Sequence, residues 1–418
     1  MKKFINDEIN EISLFSRTFL KWFCISLLVG SLGGILGAMF YSGVVWANEL
    51  RTAHQWLIWL LPIGGLIIAL IYKSSRTEGE NTNNIIDSIL LGEDVEIELL
   101  PVILLSTIIT HLFGGSAGRE GAALQIGGSL GSNVGKLLKL DEKEQRIAVL
   151  SGMSAVFSAL FGTPVAATVF ALEVCSVGII HYSGLVPCGI SALTAYLVTR
   201  LFGISPTRFT IGILPTKAML IIKVLVISVA CAVLSILFCE LMHFASKKAE
   251  QLMPDSYLRI FAGGVFILVL TLLVGNMDYN GGGVDVIVNA VEKGSAKPFA
   301  FLLKILFTVI TLSCGFKGGE IVPTFFIGAT FGCVVGPLIG LPAEFSAAIG
   351  LIATFCGAVN CPLASVILSV ELFGSSDIIY FAIACFISYM LSGYSSLYSE
   401  QKIIYSKLKA EYINRKAK

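Results

Sequence analysis

Apolar runs dominate this chain. They lie near residues 21–46, 55–73, 98–113, 122–138, 147–175, 178–203, 217–244, 259–275, 298–314, 322–340, 345–374 and 377–393. A helix needs about 20 apolar residues for a full membrane crossing. Several runs fall short of that or are cut by glycine and proline, and 147–175 is long enough for a bent or paired set of helices. The pattern predicts an all-α polytopic membrane protein that mixes full-length, tilted and broken helices. The polar ends differ from this core. Residues 1–20 form an N-terminal segment, and Lys2, Lys3, Arg17 and Lys21 lie at or near it. Residues 399–418, SEQKIIYSKLKAEYINRKAK, carry Lys402, Lys407, Lys409, Arg415, Lys416 and Lys418 and read as a solvated helix on the membrane surface. Basic ends predict that both termini are cytoplasmic.

The membrane part contains a repeat. MSAVFSALFGTPVAATVFALEV at 153–174 is matched by LIATFCGAVNCPLASVILSVEL at 351–372. Pro164 aligns with Pro362 and Glu173 with Glu371, nine residues on in both copies. GREGAALQIG and GGEIVPTFFIG are a second matched pair, with Glu120 and Glu320 200 residues apart. Two diverged copies therefore fill the chain, one over 21–215 and one over 216–398. Such repeats mark secondary transporters, whose site lies at the repeat interface near the midplane.

Composition narrows the classes. Of 418 residues, 55% are hydrophobic and 14% charged, and the mean hydropathy is +0.84. A soluble domain carries about 25% charged residues. With a formal net charge of +1 and no basic stripe, nothing points to nucleic acid. The N-terminus has no small-residue cleavage pattern of a signal peptide. The ten cysteines lack CxxC spacing and read as small buried residues, and the four histidines lack ligand spacing, so no metal or cofactor is expected. No His-plus-acid or Ser–His constellation within the apolar runs suggests an enzyme.

Candidate chemistry lies in the breaks. In GENTNNIIDSILLG (79–92), Thr82, Asn83 or Asn84 is placed to cap a helix starting at Ile85. In GGSAGREGAALQIGG (114–128) and GFKGGEIVPTFFIGATFG (315–332), glycines precede an apolar helix, and Pro323 suits a first turn. A helix that begins inside the membrane offers free N–H groups and the positive end of its dipole to an anion. A carboxylate there mimics the anion and blocks the path; burial beside anions favours its neutral form, which leaves the site. Glu120 fits that role. The competing reading is a local Arg119–Glu120 ion pair that fixes the loop, but intramembrane ionisable residues are functional by default. Arg119 itself reads as structural, satisfying nearby carbonyls. Glu320 is either a second functional acid or a solvated wall of a vestibule. Glu173 and Glu371 read as helix-end acids, solvated or capping, and Phe325 and Phe326 as pore lining or packing.

These motifs together resemble the CLC family of anion channels and anion/proton antiporters over roughly residues 25 to 400. GREG at 118–121 looks like the gating-glutamate motif, ALFGTPVAATVFALE like the helix pair that follows it, GGEIVP at 318–323 like the second anion-binding loop, and GYSSLYSE like the tyrosine-bearing end of the last membrane segment. The resemblance implies the CLC fold, with two inverted-topology repeats. Four departures from chloride-type members resemble the fluoride/proton antiporter clade, CLC-F: Asn83 where serine is usual, Ala122 instead of proline after GREG, Glu320 in place of an apolar residue, and Val174 in place of a relay glutamate. Asparagine NH₂ is a fair donor to a small, strongly hydrated ion whose desolvation must be compensated.

What the resemblance implies is a homodimer in the bacterial inner membrane, in contact with lipid, that exports fluoride in exchange for protons. Glu120 would be gate and proton carrier. Gly118, Arg119 and Gly121 would frame the anion site, Asn83 would contact the anion, and Ile321 and Val322 would offer backbone amides. Glu320 would be a pore acid, with Phe325 and Phe326 near it. Tyr398 would be the pore tyrosine, with Tyr394 competing for that place. A chloride- or nitrate-conducting channel or exchanger is the alternative.

Overall fold

The computed structural model describes residues 2–92, 95–215 and 217–418, with the side chains of residues 2–10 outside the description. Lys2 and Lys3, two of the N-terminal cations, therefore lie outside the described side chains. The first half of the chain holds α1 (Lys2–Ala53), α2 (Leu61–Ser74), α3 (Thr82–Leu91), α4 (Leu99–Phe113), α5 (Glu120–Leu137), α6 (Glu142–Phe161), α7 (Pro164–Glu173) and α8 (Leu185–Leu201). The second holds α9 (Ala218–Leu252), α10 (Ser256–Val274), α11 (Val284–Lys293), α12 (Ala300–Ser313), α13 (Ile321–Val335), α14 (Ala343–Val359), α15 (Pro362–Phe373) and α16 (Ile378–Leu391). Among the described residues six helical segments are long and apolar enough to cross a membrane, and six further apolar helices are shorter. The fold is all-α and polytopic, with the mixed helix lengths that the apolar runs predict.

Local chemistry explains the breaks. The run 147–175 is indeed a helix pair: Gly162 ends α6 in the left-handed region, and Pro164 opens α7 where its missing N–H has no helical partner to lose. The matched break in the other half ends α14 at Asn360 (φ +58°) and opens α15 at Pro362. Close helix contacts also repeat. A Cβ on Gly127 of α5 would sit 2.3 Å from the Gly152 carbonyl oxygen of α6, and one on Gly328 of α13 would sit 2.3 Å from that of Gly350 in α14. Backbones touch at both crossings, so only glycine fits there.

The matched glutamates show how the halves join. The Glu173 carboxylate, at the end of α7, accepts from the N–H groups of Leu363 (3.2 Å) and Ala364 (2.9 Å) at the start of α15. Glu371, at the end of α15, accepts from Val165 (3.1 Å) and Ala166 (2.8 Å) at the start of α7. Each copy caps the other, as helix-end capping predicts, and α7 and α15 must run antiparallel for both caps to form. That geometry is what an inverted repeat requires.

The C-terminal tail corrects an expectation. It is not a surface helix: Lys402–Tyr405 and Tyr412–Lys416 are strands. With Ser176–Val177 as β1 and these as β2 and β3, β1 pairs parallel with β2 and β2 antiparallel with β3. Ile403 alternates inward at full burial, and Tyr405 meets Tyr412 edge-on across the pair with centroids 5.8 Å apart. Isoleucine and tyrosine favour strands once a partner edge exists. The loop after α7 supplies that edge.

Candidate functional site

The two glycine loops meet face to face. Gly118 N–H donates to the Gly319 carbonyl (2.7 Å), and Gly319 N–H donates to the Gly118 carbonyl (2.8 Å), as an isolated antiparallel bridge. A Cβ on Gly319 would lie 2.2 Å from Gly121 N, so this approach demands glycine. The bridge brings the starts of α5 and α13 together, with Glu120 the first residue of α5 and Glu320 just ahead of α13. The third break joins them through Gln125 of α5, whose Nε2 donates to Thr82 Oγ1 (3.2 Å). Here too an expectation is corrected. Helix α3 begins at Thr82, three residues before Ile85, and its cap is Asn81. Asn81 Oδ1 accepts from Asn83 N–H (2.8 Å), while Asn84 Oδ1 accepts from Asn81 N–H (3.0 Å). This reciprocal box frees the Asn83 side chain from capping.

The two acids have unequal surroundings. Glu120 is wholly buried. Its Oε2 accepts from Arg119 N–H (2.9 Å) and its Oε1 from Arg119 Nε (3.3 Å). The carboxylate thus occupies a backbone N–H donor of the kind an anion would use. The local ion pair exists, and it coexists with that anion-like placement. Sequence alone has Arg119 satisfying nearby carbonyls; among the described residues its side chain instead bonds Glu120, with its guanidinium 4.4 Å over the Tyr41 ring. Among the described residues Glu320 Oε2 is buried without a hydrogen-bond partner, and it faces Gly121, whose added Cβ would lie 2.8 Å from it.

A cavity lies at each carboxylate. One of about 500 Å³ is lined by Gly118, Arg119, Glu120, Val322 and Phe325, with Tyr41, Arg51 and His111 around them. Another of about 480 Å³ is lined by Asn83, Lys317 and Glu320, with Thr82, Arg259 and Leu397. Phe325 packs against Phe161 and, edge-on, against Phe355, with centroids 5.7 and 5.1 Å away, as well as facing the first cavity. Phe326 is fully buried against Tyr279, with Lys304 5.2 Å over its ring, so it is packing. Ile321 and Val322 form the first turn of α13, both buried. Tyr398 is buried, and its hydroxyl has no hydrogen-bond partner among the described residues. Tyr394 instead shares a hydrogen bond with Ser406 (2.9 Å) under the Arg415 guanidinium.

Several residues here escaped sequence reasoning. Lys304 is fully buried and donates to the carbonyls of Tyr279 (3.1 Å) and Gly281 (2.6 Å). Gly281 N–H in turn donates to the Gly115 carbonyl (2.9 Å), so this lysine braces a loop against the Glu120 loop. Arg51 donates to the His111 carbonyl, and His111 Nε2 lies 3.3 Å from the Gly118 carbonyl. A buried cation inside an apolar run was the available signal, because such residues must find carbonyls or counter-charges. No cluster able to hold a metal ion occurs among the described residues.

Comparison with known proteins places this arrangement. A family model described as voltage gated chloride channel matches residues 64–393. A chloride/fluoride channel protein of Pseudomonas syringae pv. tomato is 36% identical over 396 residues, covering 93% of this chain and 87% of that protein. An H(+)/Cl(-) exchange transporter of Vibrio vulnificus is 25% identical over 88% of this chain and 85% of its own. Among solved structures, a CLC-type fluoride/proton antiporter superposes with TM-score 0.88 at 31% identity, covering 91% of this chain and 98% of that one. A slow cyanobacterial Cl-/H+ antiporter has TM-score 0.74 at 21% identity, covering 89% and 94%.

Proposed function

The chain belongs to the voltage-gated chloride channel (CLC) family, and from that premise we propose that it is a secondary transporter exporting fluoride in exchange for protons. The similarity to a CLC-type fluoride/proton antiporter and to a chloride/fluoride channel protein supports this reading. One observation carries it: two carboxylates, Glu120 and Glu320, lie beside the Gly118–Gly319 bridge, each lining a different cavity. In this reading the anion passes both on its way between the cavities.

In this mechanism Glu120 is the gate. As a carboxylate it takes the Arg119 N–H and excludes the anion. As a neutral acid it has less hold on that donor, swings away and carries the proton. Fluoride then meets the first-turn amides of Ile321 and Val322 and the carboxamide of Asn83, with Glu320 and Tyr398 beside it. Close amide donors replace the water that a small ion gives up. Arg119, Gly118 and Gly121 shape the turn. The protein works as a homodimer in the bacterial inner membrane, its termini in the cytoplasm.

The test is flux from liposomes containing the purified protein, followed with a fluoride electrode and a pH probe together. An imposed fluoride gradient should drive protons uphill. Fluoride flux without proton movement would make the protein a channel, and chloride-driven proton movement of equal size would make it a chloride exchanger.

A further inference from the structure

One side chain of the tail ties it to helix ends of both repeats. Gln401 is fully buried. Its Nε2 donates to the carbonyls of Val174 (2.7 Å) and Val359 (2.8 Å). Its Oε1 accepts from Asn360 Nδ2 (2.9 Å) and Ser396 Oγ (2.9 Å). Both donors and both lone pairs of the amide are used. Val174 follows α7 and Val359 ends α14, so this one amide ties together helix ends from both repeats. Lys407 gives the hairpin a second anchor. Its Nζ donates to the Tyr389 carbonyl (2.9 Å), Ser392 Oγ (3.1 Å) and Asn360 Oδ1, at the C-terminal ends of α16 and α14, where helix dipoles favour a cation.

Between these anchors and the membrane runs the turn that carries Tyr398. Ser396 Oγ accepts from Tyr398 N–H (3.1 Å), and Gln401 N–H donates to the Tyr398 carbonyl (3.2 Å). The backbone on both sides of Tyr398 is therefore set by Gln401 and its partner Ser396. The same turn reaches the other half of the site. Glu400 N–H donates to Asn83 Oδ1 (3.4 Å). With its oxygen engaged, the Asn83 carboxamide keeps its NH₂ donors for the cavity that it lines with Glu320.

We propose that Gln401 is a positioning residue for anion passage: it clamps the 396–401 turn and thereby holds Tyr398 and orients the Asn83 amide. The inference rests on the reading above of Asn83 and Tyr398 as anion contacts. It needs a tail folded back onto the helix ends, which the strands supply and a surface helix would not.

The experiment uses the full chain in liposomes and measures the fluoride KM from the Asn83 side, the maximal rate and the fluoride-to-proton ratio. Gln401→Leu should raise KM about three- to tenfold with maximal rate and ratio changed less than twofold. In the Asn83→Ala/Tyr398→Phe background the same substitution should add nothing to KM. If it raises KM by the same factor there, or lowers only the maximal rate or the thermal midpoint, Gln401 is merely structural and the proposal falls. If Gln401→Leu does not yield a monodisperse protein, Lys407→Met, which loosens the other anchor, is read in the same cycle against the same criteria. If the double background itself leaves KM unchanged, the two side chains are not anion contacts; that earlier reading fails, and the proposal with it.

Discussion

The chain holds two pairs of matched glutamates, and the fold treats them in opposite ways. Glu173 and Glu371 are equivalent in position and in hydrogen bonding: each takes two backbone N–H groups at the start of the other copy's helix. Glu120 and Glu320 differ even in position: Glu120 opens α5, whereas Glu320 stands one residue ahead of α13. The first is held by Arg119 through backbone and side chain, while Oε2 of the second has no partner among the described residues. Symmetry kept in the first pair produces a rigid junction. Symmetry broken in the second leaves one acid with hydrogen bonds to give up and the other with an unused acceptor oxygen, which suits groups that must change partners.

The largest effect should come from the held member of the broken pair. Glu120→Gln keeps shape and burial but removes the ionisable proton, so uphill proton movement should vanish in the dual-probe assay while some fluoride flux remains. An unchanged fluoride-to-proton ratio in that variant would move the proton carrier to Glu320. Next comes Glu320→Gln, which should slow coupled exchange about tenfold, equivalent to roughly 1.4 kcal/mol in the barrier. If it behaves like wild type, Glu320 is only a wall of the cavity, and the asymmetry has no functional content.

The symmetric pair should respond in stability and not in coupling. Glu173→Gln or Glu371→Gln replaces a carboxylate that accepts two N–H groups with an amide that has only one oxygen. Lost caps and charged hydrogen bonds cost about 1–3 kcal/mol. Glu173 is 6% exposed and the more deeply buried of the two, so its variant should show the larger fall in thermal midpoint. The fluoride-to-proton ratio should stay at the wild-type value in both, and a changed ratio would put this pair in the ion path.

Sequence pattern revealed the pairs but not this division. The nine-residue spacing from Pro164 to Glu173 and from Pro362 to Glu371 exposed the repeat and the capping role. That each cap serves the other copy is a tertiary fact, since the partners lie about 190 to 206 residues away. The helix starts at Glu120 and at Ile321 were legible because glycine runs precede them. The start of α3 was placed too late because Asn81, Thr82, Asn83 and Asn84 are all capping types, and only the Asn81–Asn84 hydrogen bonds distinguish them. The tail misled because its apolar and basic residues fit an amphipathic helix. The two-residue β1 that recruits it into a sheet lies over 220 residues earlier and carries no strand signal of its own.

The smallest effect should come from an exposed pair, which tests whether burial is what gives the glutamates their weight. Lys297 Nζ lies 2.6 Å from Asp278 Oδ2, with side-chain exposures of 59% and 38%. Its hydrogen bond to Asp278, aided by the attraction of that charge, holds the Lys297 ammonium above the usual lysine range. A raised folded-state value means that the stabilisation is complete below the unfolded lysine value and fades only as pH rises through the higher folded one. Across about pH 5 to 8 it is therefore constant. Solvent screening keeps such pairs below about 1 kcal/mol. Lys297→Met should thus lower the thermal midpoint by less than either capping variant, equally at both ends of that pH range, and by still less in high salt. A loss as large as that of Glu173→Gln would mean that charge pairing, and not the burial of matched carboxylates at helix starts, is what stiffens this protein.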